Sequence, residues 1–153
     1  MMPFDRLVQA MDEFAISNPG IPVEIQIGRG KYEPKHASFI RFMPVVDYRE
    51  RVANARLFIA HAGMGSILSA IEASKPLLML PRLKNLGEHN TDHQIATAAT
   101  VGARQGLYVA ADAEDLKVRA LALVARSSLL PDPISRFADP AFTTRIRTFI
   151  EAA

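Results

Sequence analysis

The sequence contains no cysteine, so no disulfide holds this fold and no thiol does chemistry. That fits a reducing cytoplasm. No apolar run approaches the roughly 20 residues that span a bilayer. The opening Met1-Met2-Pro3-Phe4-Asp5-Arg6 lacks the long apolar stretch of a secretory signal. Charge of one sign is scarce as well: the net charge is +2, although the pI is about 9.2. The Lys and Arg residues are scattered, without a basic block interleaved with aromatics, so nucleic acid is a poor guess as a partner. Weak attraction to an anionic membrane surface or partner stays open. Two phosphate-binding signatures are also missing, the G-x-G-x-x-G fingerprint and the Gly-Lys-Ser/Thr of a P-loop. What remains is 49% hydrophobic and 22% charged over 153 residues, the composition of one domain spanning 1–153 with a real core.

Short β-rich runs alternate with amphipathic stretches. Phe4, Leu7, Val8, Met11, Phe14 and Ala15 recur at helical spacing, so the chain is expected to open with a helix. Asn18-Pro19-Gly20 ends it. Strands are expected at 23–27, closed by Gly28-Arg29-Gly30, and at 39–43, stopped by Pro44. A short helix over 47–55 would take Asp47 as its N-cap. Leu57-Phe58-Ile59-Ala60 and Pro76 to Pro81 read as strands buried on both faces. Helices are expected at 65–74, 92–100, 114–126 and 143–151, with one more strand at 107–110. Strands alternating with helices predict an α/β domain, a Rossmann-like parallel sheet with helices on both faces. A doubly wound domain usually opens with a strand, and this chain opens with a helix. Either the first strand is missing or the sheet is completed differently.

The most informative segment is His61-Ala62-Gly63-Met64-Gly65-Ser66, which joins a buried strand to a helix at the edge where open α/β sheets bind ligands. Gly63 and Gly65 would let a phosphate approach the backbone. The helix N-terminus offers unpaired N–H groups, and Ser66 a hydroxyl. Glycines at such turns also serve simply to make the turn. His61 reads equally well as a hydrogen-bonded structural residue. Glu72, two turns into the same helix, is placed to accept ribose hydroxyls, or is a surface glutamate. The stretch from Arg82 to Gln94 gathers cations, acids, amides and two histidines after the next strand. It can bond sugar hydroxyls and phosphates, or it is a solvated loop with Asp92 as a helix cap. His89 and His93 have i, i+4 spacing, yet no third ligand is placed, so no metal is expected.

Taken together and in this order, Gln26-Ile27-Gly28, the glycine turn, Glu72, Lys75-Pro76-Leu77, Pro81-Arg82 and Glu88-His89 through Asp92-His93-Gln94 resemble the C-terminal domain of glycosyltransferase family 28. The resemblance runs from about Phe4 to Ala111. It implies the donor-binding half of a GT-B fold transferase that moves a hexose from a UDP-sugar and needs no cofactor. Gly63, Gly65 and Ser66 then contact the donor diphosphate, with His61 and Met64 as further donor-binding residues of the same turn. Glu72 holds the ribose, and Arg82, His89, Asp92, His93 and Gln94 meet the donor sugar and phosphates. The uracil is expected near Phe42 and Met43. No acceptor domain is present, so the resemblance implies a small cytoplasmic subunit whose membrane-associated partner binds a lipid-linked acceptor and carries the general base. That partner would hold the subunit at the inner face of the membrane; self-association is left open. Members of this kind begin with a strand before the segment matching Pro3-Phe4-Asp5-Arg6-Leu7, which implies that the first strand is missing here. Two rival expectations are a nucleotide-sugar epimerase-like fragment and a non-catalytic nucleotide-sugar-binding or scaffold subunit.

Overall fold

The computed structural model describes residues 2–126, 129–133 and 138–151. Its elements run α1 (Asp5–Ser17), β1 (Glu24–Gln26), β2 (Ser38–Ile40), α2 (Val45–Asn54), β3 (Phe58–Ala60), α3 (Met64–Glu72), β4 (Leu77–Met79), a 3-10 turn (Lys84–Leu86), α4 (His93–Val101), β5 (Leu107–Val109), α5 (Ala113–Ala125) and α6 (Pro140–Glu151). All pairing is parallel, as the alternation of strands and helices predicts. It falls into two sheets, β1-β2 and β3-β4-β5. Glu24 lies opposite Ser38, Phe58 opposite Leu77, and Leu77 opposite Leu107.

The period-2 alternation of a strand sends neighbouring side chains to opposite faces. In the three-stranded sheet this divides the core in two. Leu78, Leu80 and Ala110 face one cluster, where Phe4, Ala10, Met11 and Phe14 of the α1 region meet Leu116 and Ala120 of α5. Leu77, Met79 and Leu107 face the other, with Ile67, Ala70 and Ile71 of α3 and Ala98 of α4. The central strand β4 is fully buried, which explains its unbroken apolar run.

Several boundaries differ from expectation. Pro44, not Asp47, occupies the N-cap of α2, and no side chain caps that helix. Proline fixes φ near the helical value at a point where its missing N–H costs nothing. The second strand stops at Ile40; just beyond it Gly28 N–H donates to Arg41 O at 2.9 Å, and the Arg41 side chain donates to Gly28 O and Gly30 O at 3.4 and 3.2 Å. The last helix starts three residues early, at Pro140, where the Asp139 carboxylate accepts from Ala141 N–H at 2.7 Å.

α1 carries a residue that its apolar stripe conceals. Asp12 is 1% exposed and accepts from Tyr32 Oη and from the N–H groups of Lys35, His36 and Ala37, at 2.7 to 2.9 Å. Burial works to raise its pKa, but the four donors outweigh it and hold the carboxyl well below the usual range. The long crossover from β1 to β2 is thereby fastened to α1.

Candidate functional site

The turn from β3 into α3 is open at its tip. Gly63 is the N-cap of α3, in extended conformation, and no side chain caps the helix. Ser66 N–H and Ile67 N–H donate to Gly63 O, at 3.0 and 3.1 Å. The N–H groups of Met64 and Gly65 come before the first helical bond and have no acceptor among the described residues. Nothing lies within 4 Å of where a Cβ on Gly65 would stand. Two free donors at a positive helix end therefore face open space, an arrangement that attracts an anion. α5 is built differently, since the Asp112 side chain accepts from Asp115 N–H at 2.8 Å and closes that end.

Gly63 has the opposite surroundings. A Cβ there would stand 2.6 Å from Nδ1 of His61, whose ring lies against the turn. His61 Nδ1 is buried with no partner. Burial pushes the imidazole pKa down to about 4, with Arg82 and His89 adding to the effect and a hydrogen bond with Gln94 opposing it. His61 is therefore neutral at physiological pH.

Behind this turn three polar residues of the loop after β4, Arg82, Glu88 and Gln94, are buried, whereas Lys84 to Gly87 and Asn90 to His93 are exposed. Arg82 is 5% exposed. Its guanidinium lies 4.8 Å from the Phe4 ring centroid, Nη1 donates to Glu88 O at 3.2 Å, and Nε is buried without a partner. Gln94 is buried, and its Oε1 accepts from Arg82 N–H at 3.2 Å. Glu88 is buried, takes both Nε and Nη2 of Arg6 at 2.8 Å, and accepts from Leu83 N–H at 2.9 Å. Arg6 also donates to Pro81 O at 2.8 Å. Reading along the chain misses Arg6 and Asp12, because their partners lie far away in sequence. The one local signal is that each is a charge on a helix with an apolar stripe.

Of the expected residues, His61, Gly63, Arg82, His89 and Gln94 thus gather around one turn. Met64 is exposed at the tip and Ser66 is half-buried beside it. Asp92 sits at the N-cap of α4 but makes no capping bond; its carboxylate accepts from Lys84 N–H at 2.9 Å and shapes the loop instead. The His89 and His93 rings meet edge to face, 4.4 Å between centroids. Thr91 N–H donates to His89 Nδ1 at 3.3 Å, and Thr91 Oγ1 bonds His93 Nδ1. Among the described residues no group of three or more His, Cys, Asp or Glu is placed to hold a metal. Glu72 is exposed at the far end of α3, about 12 Å along the axis from Met64 at 1.5 Å per residue. Phe42 is 58% exposed just past the end of β2. A recess of about 300 Å³ opens among Pro3, Asp5, Arg6, Leu86, Gly87 and Glu88; the glycine turn does not line it. No helix among the described residues is long and apolar enough to cross a membrane.

A solved structure described as the glycotransferase of kitacinnamycin superposes with a TM-score of 0.54 and 16% identity, covering 93% of this chain and 33% of that one. That likeness shows the fold, and the chain spans about a third of the length of that protein. No curated protein matches the sequence. The model of the glycosyltransferase family 28 C-terminal domain matches residues 4–133, which take in every strand of both sheets and the turn between β3 and α3, and the chain belongs to that family.

Proposed function

We propose that this chain binds the nucleoside diphosphate half of a UDP-sugar and transfers the hexose only when joined to a separate acceptor-binding subunit. The open N-terminus of α3 carries this reading. Its Met64 and Gly65 N–H groups have no acceptor among the described residues, and nothing lies within 4 Å of where a Cβ on Gly65 would stand. A diphosphate seated there would be held by amides, with Ser66 adding a hydroxyl. The same donors stabilise the charge that develops on the leaving diphosphate as the glycosidic bond breaks, and this requires no metal. Glu72 extends back along α3 toward the ribose. Phe42 and Met43 flank the uracil, and His89 and His93 meet the sugar. Arg82 and Gln94, being turned inward, act by holding His61 and the loop in place. No residue is assigned as general base; the acceptor-binding partner supplies it at the inner membrane face, with a lipid-linked acceptor.

Calorimetry with UDP and UDP-sugars tests the site, on wild type beside Gly65→Val and Glu72→Ala. Gly65→Val fills the empty space without meeting protein atoms and is expected to weaken UDP binding at least tenfold. Glu72→Ala should cost about tenfold, the value of a charged hydrogen bond. A folded wild type that binds no UDP, or binding indifferent to both changes, overturns the reading in favour of a scaffold subunit.

A further inference from the structure

α6 differs from the other α-helices in that none of its described side chains is buried. Its residues are nonetheless sorted by polarity. Phe142, Ile146, Phe149 and Ile150 recur at i, i+4, i+7 and i+8, the spacing that lines up one face of a helix. The four are 47 to 77% exposed. At 3.6 residues per turn they cover an arc of roughly 100°. A helix of twelve residues is marginal in water without cover for such a stripe. Its entry is fixed all the same: the Asp139 carboxylate accepts from Ala141 N–H at 2.7 Å, and Thr143 Oγ1 donates to Pro140 O at 2.9 Å.

The charges of α6 are placed around this stripe. Arg145 lies roughly 40° beyond one border of the arc and Arg147 roughly 60° beyond the other. Thr144, Thr148 and Glu151 occupy the opposite side. Glu151, the single acid of α6, thus points away from the stripe. Among the described residues neither arginine makes an ion pair. An apolar face is therefore flanked on both sides by cations, with no acid beside it. A second copy seated stripe to stripe would carry the same arginines to the rim of the seam, with no acid there to pair them. An anionic lipid surface matches both parts. It offers hydrocarbon to the Phe and Ile side chains and phosphate to the arginines, whose stems run along the apolar boundary.

We infer that α6 is an interfacial helix, which lies in the plane of an anionic membrane with Phe142, Ile146, Phe149 and Ile150 among the acyl chains and Arg145 and Arg147 on lipid phosphates. It does not cross the membrane, since it has twelve residues where about 20 are needed. This chain thereby meets the lipid surface directly, with no partner subunit between them. The contact is independent of whether the donor site is filled.

The sequence contains no tryptophan, so Phe149→Trp in the 153-residue chain is a sole fluorescent reporter of the stripe. Vesicles of phosphatidylcholine alone are compared with vesicles of phosphatidylcholine and phosphatidylglycerol in equal parts, without nucleotide. Cosedimentation and a blue shift of the tryptophan emission are expected with the anionic vesicles. Binding to phosphatidylcholine alone should be about thirtyfold weaker, through loss of two arginine–lipid attractions. Arg145→Gln together with Arg147→Gln should weaken anionic binding by a similar factor, and Phe149→Ser by at least about tenfold. These positions lie outside the buried core, so thermal melts by circular dichroism should match wild type. No cosedimentation, equal binding to both kinds of vesicle, or binding indifferent to the substitutions overturns the inference. So does emission already blue-shifted before vesicles are added. With a dimeric mass by light scattering, that result would assign the stripe to a second copy; with a monomeric mass, to the exposed Val118 and Leu121 of α5.

Discussion

At position 61 the main chain leaves β3 and the imidazole folds against the turn that follows. Two consequences are testable there. Gly63→Ala forces a methyl into the ring and should displace either His61 or the turn, at a cost of about 2 kcal/mol in urea melts; Gly63→Ala combined with His61→Ala should recover most of it. The second concerns pH. The folded-state pKa of His61 lies at about 4, below its ordinary 6.5, so between these values the unfolded chain takes up a proton that the folded chain refuses. Stability therefore rises with pH across that window and is fully present above it. Urea midpoints from pH 4 to 7 should show a shallower slope in His61→Gln than in wild type; an unchanged slope would mean that the ring is solvated.

Among the elements, α1 does more than cover the sheet. Its buried Asp12 holds the crossover between β1 and β2 by four donors. Asp12→Ala leaves three main-chain N–H groups and a tyrosine hydroxyl without their acceptor, and is expected to lose about 3 kcal/mol in denaturant melts. Its depressed pKa makes that contribution complete above roughly pH 4, the unfolded value, and lost as the pH falls through the folded one. Much of this architecture was legible in the sequence: the stripe of α1, the fully apolar β4 and the glycine turn each have a local period or composition that physics reads directly. Asp12 was not legible, since nothing near it in sequence tells a buried acceptor from a surface acid. The apolar Phe42 and Met43 extend the expected second strand, whereas the strand itself ends at Ile40 and Phe42 is exposed. The start of α6 lies in Asp139-Pro140, an acid before a proline, three residues ahead of the expected Thr143.

Across the whole molecule the two sheets depend on α1 for much of their connection. Arg6 joins the buried Glu88, and Lys117 of α5 bonds Glu13 at 2.9 Å. Arg6→Ala strands a carboxylate that is nearly out of water, and should cost about 3 kcal/mol. Adding Glu88→Leu should restore part of that loss, whereas strictly additive costs would show that the pair is uncoupled. The gathering of His61, Arg82 and Gln94 around one turn was only partly legible. The polar stretch announced itself by composition, but the burial of Arg82 is decided by the Phe4 ring, 78 positions earlier along the chain.

The same connections set the order in which the molecule can assemble. Arg6 meets Pro81 and Glu88 across separations of 75 and 82 residues, and Lys117 meets Glu13 across 104. Loops of that size close late, after nearer contacts have formed. During synthesis α1 emerges well before its partners, since Pro81 and Glu88 follow Arg6 by those 75 and 82 residues and Lys117 of α5 follows Glu13 by 104. Until then its apolar stripe waits exposed, and the nascent chain is most open to aggregation in that interval.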